Sequence, residues 1–105
     1  MKLKIPNYNI PNSKEKVSEI TINLINYAIN SKYPNGIDGQ YRRIFGRLQS
    51  RFDEAISKDL KIIELETAEI ELISNALKDG KIPSLFAKYV IMLEDAVGNA
   101  IEEKK

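Results

Sequence analysis

Cysteine, histidine and tryptophan are all absent from this chain of 105 residues, and the first two absences remove most familiar site chemistry. Without cysteine there is no disulfide framework, thiolate nucleophile, iron–sulfur ligand or sulfur-based zinc site. Without histidine there is no Ser-His-Asp triad, no HExxH helix and no side chain that ordinarily titrates near neutral pH. An enzyme of this composition would have to work with carboxylates, lysine, tyrosine or an all-oxygen metal site. The sequence holds no phosphate-binding loop and no carboxylate pair of identifiable role, so we expect a non-enzymatic protein that needs no cofactor.

Long apolar runs are missing too, and none reaches the roughly 18 residues of a membrane span. The first residues, MKLKIPNYNIPN, carry two lysines but are broken by Pro6 and Pro11 and contain no stretch of signal-peptide length. A cytoplasmic protein with no membrane contact is expected. Charge of one sign is equally lacking: 16 basic side chains face 15 acidic ones, a net +1, which argues against a polybasic coat or an acidic tail. The balance is uneven along the chain, however. Residues 1–61 hold 11 basic and 6 acidic side chains (+5), and residues 62–105 hold 5 and 9 (−4), so the halves can attract each other within the fold or between copies.

What is present suffices for one core. Sixteen isoleucines, 9 leucines and 8 aromatics fit a single helical domain over residues 1–105, with residues 1–12 extended. Leu3 and Ile5 alternate with lysines on one face of a short strand that Pro6 ends. Asn12 with Glu15 has capping-box spacing, with Ser13 as the other candidate cap, ahead of a first helix at about 14–31. Its apolar arc, Val17, Ile20, Leu24, Tyr27 and Ala28 widened by Ile22, Ile25 and Ile29, is broad enough for a central helix or one that also packs on a partner.

Tyr33-Pro34-Asn35-Gly36 is a turn. Asp38 then stands as N-cap to a second helix at about 39–58, whose Tyr41, Ile44, Phe45, Leu48, Phe52, Ala55 and Ile56 give the cleanest amphipathic pattern in the chain. Gly46 interrupts its outer face, either for a close approach by another surface or as an untuned position. Residues 60–65 read as a short strand pairing with 2–5. Thr67 is the expected cap of a third helix at about 68–79, stopped by Asp79-Gly80, and Pro83 with Ser84 opens a fourth at about 84–101. In that helix Phe86, Val90, Leu93, Val97 and Ala100 form a heptad seam, with Ile91 and Met92 outside it. The fold class is thus mainly α, a compact bundle of about four helices with a minor two-stranded β element joining residues 2–5 to 60–65.

All four arginines lie between residues 42 and 51, and no acid falls between Gly39 and Phe52. Arg43, Arg47 and Arg51 are spaced four apart, so they form one ridge, with Arg42 on another side and Tyr41 close by. Guanidinium groups suit carboxylate or phosphate pairing, and Tyr41 can add stacking. Three readings stay open: a ridge for an acidic protein partner, a nucleic-acid contact, or a solvated flank paired with nearby acids. The acid-rich Glu64-Leu65-Glu66-Thr67-Ala68-Glu69-Ile70-Glu71 lacks the pattern of a calcium loop and reads as acids favoured at a helix N-terminus, not as a metal site. A helix-turn-helix over helices three and four would offer only Lys88 to phosphate before the C-terminus.

Residues 60–100, LKIIELETAEIELISNALKDGKIPSLFAKYVIMLEDAVGNA, resemble short accessory proteins of tailed bacteriophages. The resemblance rests on the acids at Glu64 and Glu66, the Gly80/Pro83 break and a final helix carrying Glu94-Asp95-Ala96. It implies a small α-helical phage or prophage protein in the bacterial host cytoplasm that acts by binding other proteins. The expected function is a protein-interaction module using Arg43, Arg47 and Arg51 with Arg42 and Tyr41. The alternatives are a nucleic-acid-binding regulator on the same ridge and a self-associating phage structural component.

Overall fold

A computed structural model describes residues 1–11 and 13–104, the last without its side chain. Leu3 is buried between exposed Lys2 and Lys4, and this period of two makes a strand, β1 (Lys2–Lys4). Its antiparallel partner is β2 (Ile62–Glu64), with Leu3 opposite Ile63 and Lys2 opposite Glu64. The expected pairing of the N-terminus with residues 60–65 is therefore present. Bonds from Ile5 N–H to the Lys61 carbonyl (2.9 Å) and from Leu65 N–H to the Met1 carbonyl (2.7 Å) extend it at both ends.

Helix α1 (Val17–Lys32) begins later than residue 14 because Lys16 is extended (ψ 147°), and the Ser13 hydroxyl accepts from Glu15 N–H, turning the chain ahead of the helix rather than capping it. Asn12, the other expected cap, lies outside the described residues. The broad arc of α1 is consumed inside the fold: Ile20, Ile22, Leu24, Ile25, Ala28 and Ile29 are buried, and the helix packs on α2 (Arg42–Lys58) and α3 (Thr67–Asp79). The N-terminal segment covers another part of it. Tyr8 is 4% exposed and its hydroxyl meets Thr21 Oγ1 at 2.7 Å. Burial pushes that phenol up to about 12, the bond to Thr21 only partly opposing it.

A single 3₁₀ turn, Gly39–Tyr41, precedes α2, so the regular helix starts at Arg42 and the Asp38 carboxylate makes no capping bond. Phe45, Leu48, Phe52 and Ala55 are buried as the pattern predicts. The helix ends on Asp59 in the left-handed region (φ 48°), where Ser18 Oγ (3.1 Å) and Lys61 Nζ (3.4 Å) donate to its carboxylate. Desolvation works against ionisation there, but the two donors hold the carboxyl below its ordinary range.

The N-cap of α3 is Glu66, one residue before the expected Thr67. After a 3₁₀ turn at Ser84–Phe86, α4 (Ala87–Lys104) buries Val90, Leu93, Val97 and Ala100 of the predicted seam, while Phe86 lies half-buried in the turn before it. It packs on α3 and β1. Helix α3 thus packs on both α2 and α4.

Gly80 is the C-cap that ends α3 after Asp79, as expected, and it also serves a second purpose. Its φ of −74° and ψ of 153° are open to any residue, but a Cβ there would lie 2.6 Å from the carbonyl oxygens of both Ala28 and Ala76. Only glycine lets the end of α3 cross the backbone of α1 this closely. Gly46 is the converse, with nothing within 4 Å of its would-be Cβ.

Candidate interaction surface

Helix α2 positions the arginines because its apolar stripe must face α1 and α3, which leaves residues 42, 43 and 47 on the outer side and residue 51 at the edge of the core. The ridge is consequently split. Arg51 Nε donates to Glu69 Oε2 at 2.9 Å, its NH1 group reaches the Glu64 carbonyl at 3.3 Å, and its NH2 group lies 3.6 Å from Glu66. Glu69 is wholly buried, and its second oxygen accepts from Glu66 N–H at 2.7 Å. These contacts fasten α2 to the first turn of α3, so Arg51 belongs to the fold. Arg47 makes a longer contact with Glu66 (3.8 Å), both side chains being more than half exposed, an arrangement worth little in stability.

Arg42 and Arg43 are exposed and have no ion-pair partner among the described residues. Tyr41 beside them is 39% exposed. Tyr41, Arg42, Arg43 and Arg47 are thus all exposed over the first turns of α2, with Arg42 on a different side of the helix from Arg43 and Arg47, and Arg51 is set apart. In the acid-rich segment Glu66 and Glu69 are occupied with these cations and with the start of α3, and no group of three or more carboxylates able to hold a metal occurs among the described residues.

The buried Glu69 is the residue that sequence reasoning missed. Its spacing to Ile73, Ala76 and Leu77 puts it on the inner stripe of α3, and Glu66 with Glu69 repeats capping spacing, so the signal was there. The apolar surplus is small. Tyr27 (52%), Leu85 (79%) and Ile91 (57%) are the most exposed large apolar side chains, while Met92 is half-buried against the core.

A shallow groove of about 330 Å³ runs between the N-terminal segment, α1 and α4, lined by Ile10, Leu24, Tyr27, Phe86 and Tyr89. It holds one ionisable acid, Glu15, and no constellation of acid, base and nucleophile. No helix among the described residues is long and apolar enough to cross a membrane. No family model matches the chain, and neither a curated protein nor a solved structure matches it.

Proposed function

We propose that this protein is a non-enzymatic interaction module whose contact is the outer end of α2, formed by Tyr41, Arg42, Arg43 and Arg47, and whose partner is an acidic protein surface. One observation carries the reading: Arg42 and Arg43 are exposed without an acidic partner among the described residues, on a helix whose fourth arginine is consumed internally. Unpaired guanidinium groups beside an aromatic ring suit a carboxylate-bearing surface, since arginine and tyrosine are enriched where proteins meet. A phage or prophage setting, implied by the resemblance of residues 60–100, belongs to the same proposal and is checked by the neighbouring genes.

Quantitative affinity purification compares the full chain with an R42A/R43A/R47A variant. The expected result is loss of a defined protein partner from the variant alone. An identical set of captured proteins, further copies of the chain itself included, overturns the reading. A gel shift at low salt that weakens steeply as salt rises identifies the ridge as a phosphate contact instead.

A further inference from the structure

The outward face of α4 is the counterpart of the ridge. Ile91 is 57% exposed on it, and Glu94 and Asp95, three and four residues on, share its side of the helix, as does Glu102. All three acids are exposed and have no ion-pair partner among the described residues. Lys88 lies at the edge of this face with its ammonium drawn over the Tyr89 ring, 5.1 Å from the centroid.

Each face also has an open glycine among its charges: Gly46 with Arg42, Arg43 and Arg47, and Gly98 with Glu94, Asp95 and Glu102, both with nothing within 4 Å of a would-be Cβ. A mid-helix glycine costs about 1 kcal/mol relative to alanine, and neither position recovers that within the fold. Such notches let two helices approach closely. Within one molecule the two faces belong to different helices, each packed on α3.

We infer, on the basis of the interaction module proposed above, that the acidic surface met by the α2 ridge is the outward face of α4 in a second copy of this chain. The contact is heterologous: each copy keeps one ridge and one acidic face unused, so copies add head to tail into open chains or closed rings. Because the attraction lies between exposed charges, it is long-ranged at low ionic strength and screened by salt.

Sedimentation velocity of the full chain at about 20 mM and about 500 mM salt tests this, since the screening length falls several-fold between the two. The expected result is concentration-dependent association at low salt and a monomer at high salt. The variants R42A/R43A and E94Q/D95N, which change exposed groups only, should each be monomeric, and their equimolar mixture should form a dimer and nothing larger, each supplying the face the other has lost. A wild-type monomer at low salt overturns the inference, as does a mixture that stays monomeric. If the wild type is monomeric while R42A/R43A/R47A still loses a foreign protein, the interaction module survives and only the second copy falls. If the ridge variants change neither readout, both are wrong.

Discussion

At the scale of single residues, the two kinds of glycine make opposite predictions. Gly80→Ala forces a methyl group into carbonyl oxygens that belong to two helices, and overpacking of this sort costs about 1–3 kcal/mol. Gly46→Ala meets open space and should stabilise the folded monomer by about 1 kcal/mol. Urea denaturation of both variants checks the pair, and Gly80→Ala with wild-type stability would remove the close crossing of α1 and α3. Tyr8 makes a pH prediction. Its phenol keeps its proton to about pH 12 in the folded protein but only to about 10 in an unfolded chain. Its contribution is therefore complete below pH 10 and is lost as pH rises towards 12, on the order of 2 kcal/mol. Tyr8→Phe should flatten that alkaline limb in denaturation curves taken across the range.

Among the elements, the joint between α2 and α3 rests on one charged pair. Removing Arg51 leaves the Glu69 carboxylate with a single remaining donor, the Glu66 N–H, and taking one partner from a buried acceptor costs about 1–3 kcal/mol. Arg51→Ala should lower stability by about that much, whereas Arg43→Ala should change it by less than about 0.5 kcal/mol. Equal effects in thermal or urea unfolding would contradict the split ridge. Most elements were legible from their residues: Phe45, Leu48, Phe52 and Ala55 at helical spacing defined α2, and Leu3 and Ile63 in short apolar stretches suggested β1 and β2. Helix starts were less so. Tyr41 and Glu66 stand at starts that Asp38 and Thr67 were expected to cap: a 3₁₀ turn intervenes after Asp38, and Glu66 and Glu69 form a capping box one residue earlier than Thr67. The candidate site was half legible. The spacing of Arg43, Arg47 and Arg51 announced a ridge, but which of its members turned inward depended on a glutamate 18 residues away in sequence, and local patterning has no access to that.

For the whole molecule, the division into a basic and an acidic half resolves largely into internal pairs. Lys4 with Glu103, Lys32 with Asp79, and Arg47 and Arg51 with Glu66 and Glu69 all join a base from the first half to an acid of the second. Among the charges outside these pairs are Arg42 and Arg43 on α2 and Glu94, Asp95 and Glu102 on α4. The small sheet has a consequence of another kind. Two helices separate β1 from its partner strand in the chain, and the helix that covers it, α4, follows later still. Closing so long a loop must precede any gain from the contacts it makes. Strand β1 is thus among the last elements to find its place, and until it does the apolar side of Leu3 stays uncovered.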